Sequence, residues 1–374
     1  MGRAAAWDLA RTPGVDGLVV ADVKRERAKL AADDVQGIDV KTVAVDLADE
    51  AAVAQLLGGV DGAITCADYS LNLGITRAAI RAKTHLVDLG GNMDVVDAQM
   101  RLDAEAKAAA VTVIPNSGLA PGMANVLAYG LYARLDSCDA VRIRVGGLPL
   151  DRPVPIGYRL LFSVRGLTNE YLEPAEVITG GKRATVESLT EIEALEFPEP
   201  FGALEAFHTS GGASLLPRLL EGKVRSLDYK TIRYPGHAAV FHAMSRLGLL
   251  SEERPFGAEG PTIREATEAA LVGSLGGPAR PDVTLVRVAA SGTKDGRPMT
   301  IEQELIEYAD AASGHSAMMR TTSYSAVAML ELVLSGVVAR RGVLSQEENV
   351  PAARFVEVLA RRGISVRERA FPGG

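Results

Sequence analysis

Three glycine-rich segments gather the polar side chains that oxidation of an amine would need: Gly146-Gly147-Leu148-Pro149, Glu205 to Gly212, and Tyr229 to His237. A primary ammonium must lose a proton when it is oxidised, and the acceptor needs a pKa near the working pH. His208, His237, Lys230 and Tyr234 are of the right type, and histidine needs the least tuning at neutral pH. An amino-acid substrate also brings a carboxylate, which a planar guanidinium grips with two parallel hydrogen bonds. Arg165 and Arg233 are the candidates. Each of these residues also has a plain structural reading, as a core histidine or as half of a surface salt bridge.

The first third of the chain supplies the frame for a redox partner. Short apolar runs at 17–22, 40–45, 62–67, 84–89 and 111–115 alternate with helix-forming stretches at 24–32, 50–57, 74–83 and 95–110. That alternation predicts an α/β fold with a doubly wound, Rossmann-type parallel sheet. In such a fold the first strand runs into a Gly-x-Gly-x-x-Gly turn, and an acid near the end of the second strand binds the adenosine ribose. Gly2, opening a helix-forming run to Arg11, stands as the third glycine, and Asp22 as the acid. The first strand and the two earlier glycines are missing from the sequence. That strand is central in the order 3-2-1-4-5-6, so its loss orphans backbone groups on both neighbours at about 1–3 kcal/mol each. Total stability is only about 5–15 kcal/mol. The expectation is a translational start upstream of Met1, with Met1 inside the glycine turn.

The Asp22 carboxylate would repel a 2′-phosphate, which favours NAD, while Lys24 and Arg25 leave NADP open. Asp46 after the 40–45 run, Cys66 within the 62–67 run, and Gly90 and Gly91 after the 84–89 run complete the expected cofactor-binding set. Ligands of open parallel sheets bind at this carboxyl edge, although a loop acid or a plain glycine turn would look the same.

Asn116 to Met123 is dense in turn formers and reads as a hinge. The expected division is a nucleotide-binding domain over 1–120 and an α+β substrate domain over 121–320. Strands are expected at 141–145, 283–289 and 300–308, and a helix at 263–275. Helices within 321–374 should return to the first domain. The formal charge of -7 disfavours a nucleic-acid partner. No run approaches about 18 apolar residues and no signal-peptide core is present. Cys66 and Cys138 lack metal-ligand or disulfide spacing, so no metal site is expected. A cytoplasmic protein with a small-molecule partner fits these limits.

The order of motifs resembles the saccharopine dehydrogenase family over nearly the whole chain: a nucleotide fold, Gly118-Leu119-Ala120-Pro121-Gly122-Met123, Gly146-Gly147-Leu148-Pro149, then Phe162-Ser163-Val164-Arg165-Gly166-Leu167. Saccharopine reductases tend to carry an Asn-Arg-Asp-Ser segment and a Cys before Gly-Gly-Leu-Pro. Here His208-Thr209-Ser210-Gly211 and Val145 stand instead. Glu205 to Gly212 with Tyr229 to Tyr234 and Gly236-His237 is similar to bacterial lysine 6-dehydrogenases. The resemblance implies NAD-dependent oxidation of the ε-amine of L-lysine, and a homo-oligomer is expected. It also implies that Arg165 matches a carboxylate-binding arginine and that Thr209 and Ser210 lie on a substrate-contacting turn; Arg233 and Tyr234 complete the expected substrate-binding set. The alternatives are a saccharopine or carboxynorspermidine dehydrogenase, or a catalytically silent nucleotide-binding protein.

Overall fold

The computed structural model describes residues 1–152, 156–255, 257–277 and 280–372. The chain divides into two units, Met1–Gly130 with Met319–Ser365, and Leu131–Met318 with Val366–Gly374. In the first unit the apolar runs form β1 (Gly17–Asp22), β2 (Asp39–Ala44), β3 (Gly62–Thr65), β4 (His85–Asp88) and β5 (Thr112–Ile114). The second unit holds β6 (Ser137–Pro149), β7 (Ala175–Thr179), β8 (Lys182–Val186), β9 (Glu193–Phe197), β10 (Gly202–His208), β11 (Ser226–Arg233), β12 (Asp282–Lys294) and β13 (Arg297–Tyr308). The chain then supplies β14 (Gly342–Val343) to the first unit and β15 (Arg367–Pro372) to the second.

Every strand pairing in the first unit is parallel, as its strand–helix alternation requires. β1 pairs with β2, and a separate sheet runs β14-β5-β4-β3. No strand among the described residues joins β1 to β3. Leu86, Val111 and Val113 pack against Ile75, Ala78 and Ala79 of the helix Asn72–Ala82. Asp49 starts the helix Glu50–Leu57 by accepting hydrogen bonds from the amides of Ala51 and Ala52. The helix expected over 95–110 is two, Met93–Met100 and Asp103–Ala108, with buried Leu102 at the break packed into the core. Trp7 stacks on Tyr324 at 6.0 Å, and Arg362 pairs with buried Asp8 at 2.6 Å, so C-terminal segments hold the helix Gly2–Leu9.

The division differs from the expected one in two places. The turn at 118–123 folds inside the first unit, with the Met123 amide bonded to the Gly118 carbonyl at 2.9 Å, and the boundary falls at 130. The last strand, β15, pairs with β13 and so belongs to the second unit.

The second unit is built on a nine-stranded sheet with the main order β15-β13-β12-β6-β11-β10-β9. β6 and β11 are parallel to each other, and the remaining pairs are antiparallel. Side chains alternate between faces along a strand, and directly paired residues share a face. The β10–β11 register therefore puts Glu205, Phe207, Thr231 and Arg233 on one face, and Ala206, His208, Lys230 and Ile232 on the other.

Candidate functional site

The cofactor candidates of the first unit lie at the carboxyl ends of its strands and at a helix start. A Cβ on Gly2 would sit 3.9 Å from the Cβ of Cys66, so the start of the helix Gly2–Leu9 and the end of β3 are neighbours. Burial pushes the Cys66 thiol up to about 11. Asp22 and Asp46 each fold their own loop, accepting from the amides of Lys24 and Ala48 at 2.9 Å. Asp88, at the end of β4, is fully buried. Its Oδ1 accepts from the amides of Gly90 (2.8 Å) and Asn116 (3.1 Å), and its Oδ2 from Gln99 Nε2 (2.7 Å). This clasp holds Gly90 at φ +74°, where a Cβ would meet Asn116 Oδ1 at 2.1 Å. Gly91, at φ +132°, lies against the Tyr69 ring. A turn without side chains, an acid ending β1 and a helix start whose first amides lack intrahelical acceptors suit a dinucleotide.

In the second unit, Ser163 caps the helix Val164–Leu172, which carries Glu170 and Tyr171. Arg233 is buried, its guanidinium 4.8 Å from the Tyr158 ring centre. Its Nη1 donates to the Ile232 carbonyl at 2.9 Å, and its Nε has no hydrogen-bond partner. The ladder places Glu205 opposite Arg233, but that carboxylate is used elsewhere. It accepts from the amides of Gly236 (2.8 Å) and Ala238 (2.7 Å), capping the helix His237–Arg246. Arg233 is left without an ion pair among the described residues.

Around it, the Tyr171 hydroxyl meets His237 Nε2 at 2.9 Å. The His237 ring stacks between Phe207 (6.1 Å) and Phe241 (4.7 Å), with Tyr158 edge-on at 5.1 Å. Burial, and then the charge of Arg233, hold His237 well below the usual histidine range, so it is neutral. Burial also pushes Tyr158 up to about 12 and Glu170 up to about 7. For Glu170 the nearby Arg233 opposes the rise and Glu173 adds to it. Thr209 and Thr231 share a hydroxyl bond of 2.7 Å. Ser210 reaches the Glu170 carbonyl through its amide (3.0 Å) and Glu173 through its hydroxyl (3.3 Å).

The structure thus brings Arg233, His237, Thr209 and Ser210 together and sends the other candidates elsewhere. His208 and Lys230 point to the opposite face, one residue out of step with Phe207 and Thr231. There His208 Nε2 meets Glu191 at 3.0 Å, and Lys230 donates to the Glu191 carbonyl (2.7 Å) and to Glu193 (3.3 Å). Arg144 forks onto Glu193 and Asp228 in the same network. Tyr234 donates to the Pro149 carbonyl at 3.0 Å and packs with Ile232 and Leu148. Arg165 is half exposed and held by Glu252 (2.8 Å) and Glu268 (3.5 Å). The sequence reading missed Tyr158, Glu170 and Tyr171. The last two lie about one helical turn beyond the Phe162-to-Leu167 segment, which was the signal available.

A family model described as "Saccharopine dehydrogenase NADP binding domain" matches residues 1–114, and one described as "Saccharopine dehydrogenase C-terminal domain" matches residues 118–364. The chain belongs to the saccharopine dehydrogenase family. A saccharopine dehydrogenase (NADP+, L-glutamate-forming) of Pyricularia oryzae is 27% identical over 273 residues, 70% of this chain and 59% of that protein. The Saccharomyces cerevisiae protein of the same description is 23% identical over 57% of this chain and 49% of its own length. The matched region therefore spans only about half the length of these relatives. The solved apo saccharopine dehydrogenase (L-Glu forming) from Saccharomyces cerevisiae shares the fold, with a TM-score of 0.80, 19% identity, and 99% and 98% coverage of the two chains. A homospermidine synthase from Legionella pneumophila, solved with NAD, has a TM-score of 0.63 at 12% identity, covering 96% of this chain and 86% of its own.

Proposed function

We propose that this protein is an NAD(P)-dependent oxidoreductase of amino acids that oxidatively deaminates the ε-amine of L-lysine, with NAD the preferred acceptor. The observation that carries the reading is Arg233, a buried guanidinium left without a carboxylate because Glu205 is spent on a helix cap. A substrate carboxylate supplies the missing anion, and the planar fork fixes its direction. Gly2, Asp22, Asp46, Cys66, Gly90 and Gly91 are the residues proposed to hold the dinucleotide, which supplies the hydride acceptor when bound. In balance, the ε-ammonium of lysine, NAD+ and water give the 6-semialdehyde, ammonium, NADH and a proton. The aldehyde then closes on the α-amine, with loss of water, to piperideine-6-carboxylate. The Tyr171–His237 pair and the aromatic rings beside it keep Arg233 in place and the site poor in water.

The names of the relatives favour a second reading, a saccharopine dehydrogenase using NADP. One unpaired arginine suits a substrate with one carboxylate better than saccharopine, since Arg165 is already engaged by two glutamates. Absorbance of the reduced cofactor, followed with L-lysine or saccharopine and with NAD or NADP, separates the readings. Turnover with lysine and NAD alone is expected; turnover with saccharopine only would reverse the choice. Arg233→Lys should raise the lysine KM about tenfold or more, the loss of roughly one charge-assisted bond, and Arg165→Ala in parallel tests the sequence-derived anchor.

The proposal includes a small amino-acid substrate, neither nucleic acid nor membrane as partner, a cytoplasmic site and a homo-oligomer. No helix among the described residues is long and apolar enough to cross a membrane. Light scattering of the purified protein measures its oligomeric state.

A further inference from the structure

The proposed reaction needs a proton acceptor, and the four sequence candidates are poorly placed for it, Tyr234 because its hydroxyl donates to the Pro149 carbonyl. His208 and Lys230 are closed into the network on the other face of the sheet. His237 shares the face with Arg233, but its Nε2 is taken by Tyr171 and its ring is boxed by Phe207 and Phe241. Protonating it would put a second cation beside Arg233.

Glu170 differs from all four. It is partly open, and its carboxylate makes no hydrogen bond or ion pair among the described residues. Arg233 from β11 and Glu173, the cap that follows its own helix, act on it, and its charge in turn reaches Tyr158, Tyr171 and Tyr229. A buried guanidinium and a partly open carboxylate thus lie near each other without forming an ion pair. Opposite charges taken from water and left apart are costly unless something bridges them. A molecule with a carboxylate at one end and an ammonium at the other would do so.

We propose that Glu170 receives the proton of the substrate ε-ammonium, an inference that rests on the amine-oxidation reading above. An N–H bond of the ammonium breaks, the electron pair stays on nitrogen, and the proton moves to a Glu170 carboxylate oxygen. A bound nicotinamide would supply the hydride acceptor for the ε-carbon, and the nitrogen pair freed by Glu170 would form the C=N bond that water later opens. Glu170 returns the proton to solvent. The value of about 7 for Glu170 suits such an exchange at neutral pH.

The test is the pH profile of lysine oxidation by the wild-type protein, Glu170→Gln and Glu170→Asp. The wild type should lose activity as pH falls through about 7. Glu170→Gln should lose that limb and about 10²–10⁴-fold in kcat, and Glu170→Asp should restore the limb with part of the rate. Calorimetry of lysine binding, in buffers of different ionisation enthalpy near neutral pH, gives a readout without turnover. The wild type should release protons as the bound cation pulls Glu170 to its charged form, and Glu170→Gln should release none. A Glu170→Gln protein with an unchanged profile, or equal proton release, overturns the role of Glu170 and leaves the lysine reading standing. Failure of the wild type to oxidise lysine removes both.

Discussion

Replacing Asp88 with alanine should destabilise the first unit by about 3–5 kcal/mol. The side chain is fully buried and satisfies three donors, the amides of Gly90 and Asn116 and Nε2 of Gln99. Each buried donor left without a partner costs about 1–3 kcal/mol, and the lower part of the summed range allows a water to enter the space. Asparagine should behave differently. Gln99 Oε1 has no partner, so a flip of the Gln99 amide would turn that oxygen to the new amide nitrogen and keep the Thr76 contact. The other oxygen would still accept from Gly90 and Asn116, and the cost should stay within about 1 kcal/mol. Burial raises the pKa of Asp88 above its usual 3.8. The folded state therefore penalises the carboxylate, and the wild type loses stability relative to Asp88→Asn as pH rises through the folded value. The assay is urea unfolding followed by fluorescence. Trp7 is the single tryptophan and lies in the first unit, stacked on Tyr324, so its signal reports this unit. An Asp88→Ala cost under about 1 kcal/mol, or equal costs for Ala and Asn, would refute the reasoning.

Gly90→Ala should weaken binding of the dinucleotide and cost about 1–3 kcal/mol in the same unfolding assay, because φ is +74° and the new Cβ meets Asn116 Oδ1. Glu170 is held near 7 against a usual 4.5, so its contribution to stability falls as pH rises between those values. The melting temperature of Glu170→Gln should accordingly exceed that of the wild type above neutrality and match it near the lower value. Lys230→Met should cost about 1–3 kcal/mol by freeing the Glu191 carbonyl, while steady-state kcat with lysine changes less than about threefold. Cys66 and Cys138 are both pushed up to about 11 by burial, so thiolate is scarce at neutral pH. Mass spectrometry should find iodoacetamide labelling slow in the folded protein and fast in urea.

Local pattern was enough to place most elements. β1 and the helix Glu50–Leu57 appear at their expected bounds, because a short apolar run or a capped helical stretch identifies itself without distant partners. The helix Ile263–Leu275 is likewise bounded by the Thr262–Glu265 capping box, a signal four residues long. The motif order also carried the family, and Arg233 and His237 were legible as polar groups in glycine-rich turns. The sequence could not show which face of the second sheet each candidate occupies. A period of two divides a strand into two sets, but only the β10–β11 register and the helix packed above decide which set lines the site. His208 and Lys230 went to one face and Arg233 to the other for that reason alone. Whether Glu205 neutralises Arg233 or caps a helix is also a choice between partners close in sequence, settled by where the Gly236 and Ala238 amides point. Glu170 carries no signal of its own in the sequence, since burial and neighbouring charge belong to the assembled structure and to no stretch of sequence.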